Sequence, residues 1–184
     1  MKRLCFITAL LFLISTTYSQ VTFVKGYLIT LNGDTLKGEI KINPKKEFDT
    51  YNKAFFKDAS GVQKNYKADK VKGYGFENKN FLAADYEGEP MFYKVHSSGT
   101  INLLEMMYET MQMNEIAYKS DYFLAKKGEN VLTKVKPGKF KKQLTELMKD
   151  NTEVLQNIDD DKKFEIEKVT EVVNQYNDWA KSKG

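Results

Sequence analysis

The sequence predicts an α+β domain: an antiparallel β-sheet meander of roughly seven to ten strands followed by C-terminal helices packed on the sheet. Three observations carry this. Strand-like runs, dense in Phe and Tyr at alternate positions, fill residues 21–135 and are separated by Gly, Asn, Asp and Ser. Asn32-Gly33 is a strong hairpin signal, because both residues accept positive φ. After Pro137-Gly138 the apolar period changes from two to three and four.

The first nineteen residues read as an address. Lys2 and Arg3 precede an apolar run over 4–14, and small residues stand at Thr17 and Ser19. That is the layout of a cleavable secretory signal peptide, with the cut expected between Ser19 and Gln20. The run is too short for a membrane span of about 20 residues, which argues against an uncleaved anchor; nothing after Gln20 comes near that length, so no transmembrane segment is expected after cleavage. Residues 20–184 then form a single domain, β-rich over 20–136 and helical over 137–184.

Cleavage alters the composition. The only cysteine, Cys5, leaves, so neither a disulfide nor a thiol nucleophile is expected. Removing Lys2 and Arg3 from the 29 basic residues leaves 27 lysines against 25 acids, a net charge of about +2. Without arginine the chain lacks the planar fork that makes bidentate phosphate and guanine contacts. The lysines read as a solvated surface, and no nucleic-acid partner is expected.

In chain order, residues 26–40 predict the first hairpin. Placing Asn32-Gly33 at a two-residue tip sets Ile29 opposite Leu36, Tyr27 opposite Gly38 and Phe23 opposite Ile42, with Leu36, Ile40 and Ile42 on one face. Strands follow over 54–57, 62–67, 71–76, 81–85, 91–96, 101–108, 116–126 and 130–135. Phe140, Leu144, Leu147 and Met148 keep helical spacing. Asp150-Asn151-Thr152-Glu153 has the form of a capping box opening a second short helix through Val154, Leu155 and Ile158. The last helix carries Ile166, Val169, Val173, Tyr176 and Ala180, widened by Val172 and Trp179. Asp159, Asp160 and Asp161 at its start, and Lys181 and Lys183 at its end, suit the helix dipole.

Four motifs invite chemistry. Lys72-Gly73-Tyr74-Gly75-Phe76 matches the first positions of an RNA-recognition strand, but the pattern breaks at Glu77 and Lys79, so an aromatic strand is expected. Asn157, Asp159 and Asp161 have calcium-loop spacing, but Lys162 and Lys168 stand where glycine and the bidentate glutamate belong. His96 is the only histidine and precedes Ser97. On a regular strand the two point to opposite faces, and no Gly-x-Ser-x-Gly elbow is present. Met106, Met107, Met111 and Met113, with Tyr108, fit either a core or an adaptable binding surface. No catalytic, cofactor-binding or metal-ligating residue is assigned, and no cofactor.

Residues 26–40 fit G-x-[IL]-x4-G-D-T-x-x-G-x-I and resemble the opening of a group of uncharacterised exported proteins of Gram-negative bacteria. Residues 91–104 and 139–177 resemble the middle and end of the same group, some longer members of which add an outer-membrane barrel. The resemblance implies the periplasm or the cell exterior and implies no activity.

The expected function is an envelope-associated binding or interaction module without catalytic activity, periplasmic or secreted. Its partner would be an envelope or extracellular protein, peptide or glycan. The alternative is a periplasmic or secreted hydrolase with a non-local site including His96. A small outer-membrane barrel is disfavoured by lysines along the strands and by the helical ending.

Overall fold

β1 (Thr22–Thr30) and β2 (Thr35–Ile42) form the expected hairpin around a different loop. The computed structural model describes residues 21–129, 131–158 and 164–183. The signal segment and its cut, and residues 159–163, therefore lie outside the described residues. In the loop, Thr30 N–H donates to the Asp34 carbonyl at 2.9 Å and Gly33 N–H to the Thr30 carbonyl at 3.0 Å. Of Asn32 and Gly33 only the glycine has positive φ, at +97°. The turn thus spans Leu31, Asn32 and Gly33, as in hairpins that end on a left-handed glycine.

The longer loop moves the register by one residue. Ile29 faces Thr35, Leu28 faces Leu36, Tyr27 faces Lys37 and Val24 faces Ile40. A shift of one exchanges the two faces of a strand, so Leu28 joins Ile40 in the core and Tyr27 turns to the other side. Tyr27 does cover a glycine, but it is Gly75 of the neighbouring strand: a Cβ there would lie 2.6 Å from the tyrosine oxygen. Gly38 is covered by the Phe56 ring instead.

The remaining strands are β3 (Ala54–Lys57), β4 (Gln63–Tyr66), β5 (Val71–Phe76), β6 (Lys79–Tyr86), β7 (Glu89–Ser97), β8 (Ile101–Gln112), β9 (Glu115–Lys126) and β10 (Thr133–Lys134). All pairings are antiparallel, and the open sheet runs β10-β9-β8-β7-β6-β5-β1-β2-β3-β4. It is two meanders joined where β1 pairs with β5. β10 is shorter than the run that predicts it, and β8 continues four residues beyond Tyr108.

A short helix not expected from the sequence, α1 (Asp49–Asn52), crosses beside β7. α2 (Phe140–Leu147) and α3 (Ile166–Lys183) follow the sheet, separated by a 3-10 turn over Thr152–Asn157. That turn is a correction to the capping box: no side chain caps it at Asn151. Asp150 accepts instead from the Tyr176 hydroxyl at 2.8 Å, tying the turn to α3. Val169, Val172, Val173 and Tyr176 are buried against Ile101, Leu103 and Leu124. Each such side chain contributes roughly 1.5–3 kcal/mol on burial, several times any helix-propensity difference. Packing decides this helix. A second cluster, Leu28, Ile40, Tyr51, Phe56, Tyr74, Phe81 and Phe92, lies under α1. A third gathers Tyr93, Leu104, Phe123 and Ala125. Among the described residues no helix is long and apolar enough to cross a membrane.

Candidate functional site

The aromatic motif of β5 goes into the core. Tyr74 and Phe76 are buried, and Tyr74 stacks on Phe81 with centroids 4.8 Å apart and planes 7° apart. Its hydroxyl donates to the Thr50 carbonyl at 2.5 Å. A Cβ on Gly73 would strike the Phe81 carbonyl. The glycines serve close strand approach, and neither ring is presented for base stacking.

His96 sits at a β-bulge. Val95 pairs with Leu104 and Ser97 with Leu103, so His96 is the extra residue of β7. The bulge overturns the expectation that His96 and Ser97 point apart. His96 Nε2 lies 2.7 Å from Glu105 Oε2, and Ser97 Oγ accepts from Asn177 Nδ2 of α3 at 3.0 Å; both reach the helix-covered side. An ionised carboxylate only accepts, so Nε2 is the donor. Ser120 Oγ donates to the other Glu105 oxygen at 2.5 Å, and Lys94 Nζ is 3.5 Å from Oε2. Burial pushes the Glu105 carboxyl up, but the His96 and Ser120 hydrogen bonds and the Lys94 charge outweigh it and hold it at about 2.

A cleft of about 520 Å³ opens beside His96, walled by Thr170 and Asn174 and rimmed by Glu167, Glu171 and Asp178 of α3. A hydrolytic site would use such a cleft and such an oriented imidazole, but here the hydroxyls are placed otherwise. A serine–histidine–acid relay needs the imidazole between hydroxyl and carboxylate. Ser120 is bonded to the acid itself, and Ser97 is held by Asn177.

The methionine group divides. Met106 and Met107 pack against core clusters on opposite faces of β8. Met111 is 73% exposed and Met113 95%. Beyond the core the β8–β9 ribbon carries Met111 directly opposite Ile116, and Glu109 opposite Tyr118, all on one face. Ile116 and Tyr118 are exposed too, with the Phe48 ring 6.1 Å from Tyr118. At the tip, Met113 and Asn114 occupy φ of 50° and 64°. Asparagine tolerates that region; methionine is strained there by roughly 1–2 kcal/mol. Ile116 and Tyr118 were missed as site residues. Their signal was apolar alternation continuing past Tyr108 on a ribbon too long for its covering.

Of the calcium-like spacing, Asp159, Asp161 and Lys162 fall outside the described residues, while Lys168 lies in the first turn of α3. Among the described residues no three His, Cys, Asp or Glu side chains gather closely enough to hold a metal ion. No protein family matches the chain, and no curated protein or solved structure matches it.

Proposed function

We propose that the protein is an exported, envelope-associated interaction module that seats the β8–β9 tip in an apolar groove of a partner protein. The observation that carries this is Met113: 95% exposed, at a φ of 50° where Gly, Asn or Asp would relieve the turn. Neither folding nor core packing accounts for a methionine there, and strained residues concentrate at functional sites. Met111, Ile116 and Tyr118 extend it into a contiguous apolar face. Flexible thioethers suit an adaptable contact. Glu109 and Glu115 beside the tip disfavour an anionic bilayer and fit a groove with a cationic rim. Export rests on residues 1–19, whose pattern supports a periplasmic or secreted location.

The test is a photo-crosslinking amino acid placed at position 113 in living cells, with position 64 on the edge strand β4 as control. A discrete adduct from 113, absent from 64 and lost in Met111→Ser/Ile116→Ser, supports the reading. Identical adducts from both positions, or none, overturn it. A hydrolase centred on His96 is the second reading, favoured by the 2.7 Å contact with Glu105 beside an open cleft. Ester hydrolysis that disappears in His96→Gln would place it first.

A further inference from the structure

The lysines are not spread evenly. Eight of them fall between residues 126 and 149, against only two acids, Glu129 and Glu146. The fold brings four of these eight to one place. Lys134, Lys136, Lys139 and Lys142 line a cleft of about 410 Å³ between β10 and α2, with Tyr86 on its wall. That volume lies within the roughly 300–1,000 Å³ of small-molecule sites.

Their charges are not alike. Lys134 is neutralised by Asp121, 2.5 Å away. Lys136, Lys139 and Lys142 have no side-chain partner among the described residues, and Glu146 is the one acid on the lining. All three are exposed, so their ammonium groups are available to a ligand in the cleft. The backbone that carries them is held in place. Gln143 Oε1 accepts from Lys136 N–H at 3.0 Å, and its Nε2 donates to the Lys134 carbonyl at 2.9 Å. One side chain of α2 thus locks the connection from β10, so the cluster is set out before any ligand arrives.

We propose that this cleft binds a small oligoanion carrying at least two phosphate groups, either free or as a lipid headgroup. Lysine ammonium groups bind phosphate as point charges, without the planar match that arginine requires. Three unpaired cations exceed what a single phosphate satisfies. The cleft lies about ten residues along β9 from the ribbon tip, some 30 Å at a strand's rise of about 3.3 Å per residue, so the two surfaces are separate.

Calorimetric titration with sodium tripolyphosphate and with inorganic phosphate, and sedimentation with vesicles of cardiolipin, whose headgroup carries two phosphates, against phosphatidylglycerol vesicles of equal charge, whose headgroup carries one, test this on the purified protein. The comparison variants are Lys136→Gln/Lys139→Gln/Lys142→Gln in the cleft and Lys37→Gln/Lys72→Gln/Lys119→Gln elsewhere on the surface. Either tripolyphosphate or the cardiolipin vesicles should bind, and whichever binds should exceed its single-phosphate counterpart at least tenfold. The cleft variant should lose at least tenfold and the control less than twofold. Binding of tripolyphosphate alone identifies a free ligand, and binding of cardiolipin vesicles alone a headgroup. Equal losses in both variants, equal affinity for a probe and its single-phosphate counterpart, or no binding of either probe at millimolar concentration would overturn the site.

Discussion

Asn177 of α3 and Ile101 of β8 exchange two hydrogen bonds: Ile101 N–H donates to Asn177 Oδ1, and Asn177 Nδ2 donates to the Ile101 carbonyl, both at 2.8 Å. The side-chain amide acts as a substitute strand. The β7–β8 ladder ends at Ser97 and Leu103, so on that side Ile101 has no backbone neighbour. A helix residue supplies the missing peptide group.

Asn177→Ala therefore leaves a buried N–H and carbonyl unpaired and should destabilise the protein by about 2–4 kcal/mol. Gly99→Ala strikes the same side chain, since its Cβ would lie 2.5 Å from Asn177 Cγ. Removing that side chain makes room, so Gly99→Ala should cost less in the Asn177→Ala background. Urea unfolding of the four proteins measures this coupling. Strict additivity would show that the two residues do not meet.

Tyr93 presents the opposite case. Its ring is fully buried, and its hydroxyl is the one buried side-chain polar atom among the described residues without a hydrogen-bond partner. Burial, then the nearby Asp85 and Tyr86, push the phenol up to about 12. An unpaired buried hydroxyl is a cost that phenylalanine removes at almost the same volume. Tyr93→Phe should raise the free energy of unfolding by about 1 kcal/mol. Destabilisation of that size would mean that the hydroxyl is satisfied.

Glu105 sets the acid limb of stability. Its carboxyl is at about 2 in the folded protein against an ordinary 4.5. A depressed folded pKa stabilises fully above 4.5 and is lost as pH falls toward 2. The unfolded chain takes up the proton first, so stability rises with pH across that window, by about 3 kcal/mol from this group. Glu105→Gln should flatten the difference between pH 2 and pH 5 by a similar amount. Unfolding free energies of both proteins over that range check it, and parallel curves would remove Glu105 as the cause.

Local signals made the elements legible: β3 and β5 occupy the predicted residues, and the stripe of α3 is the one its spacing gives. Relations between elements were less so. Asn32-Gly33 identified the hairpin, but Thr30 also offers Oγ1 to Asp34 N–H at 3.2 Å, and the wider loop lets Leu28 reach the core. That choice depends on what β1 meets across the sheet. The bulge at His96 has no local marker, since it follows from the ladder beginning at Leu103. The aromatic-rich runs of residues 21–135 offered rings for an exposed surface. Most of the large rings instead stack under α1 and α3, and at the exposed tip only Tyr118 is aromatic.

Met113 allows folding and function to be separated in one substitution. At φ 50° a glycine meets no steric resistance, and the methionine side chain, 95% exposed, contributes nothing to the core. Met113→Gly should therefore leave stability unchanged or raise it by up to about 1 kcal/mol, relief of strain being partly offset by the greater freedom of glycine in the unfolded chain. Met113→Asn, which tolerates the same region, should do likewise without that entropic offset. Under the proposed function both variants weaken association with the partner captured at the tip by tenfold or more, since an apolar anchor is lost from the centre of the contact. Thermal unfolding and the affinity for that partner, measured on the same samples, give the two readouts. Reduced stability in both variants would show that Met113 is held by the fold, and the interaction reading would lose its support.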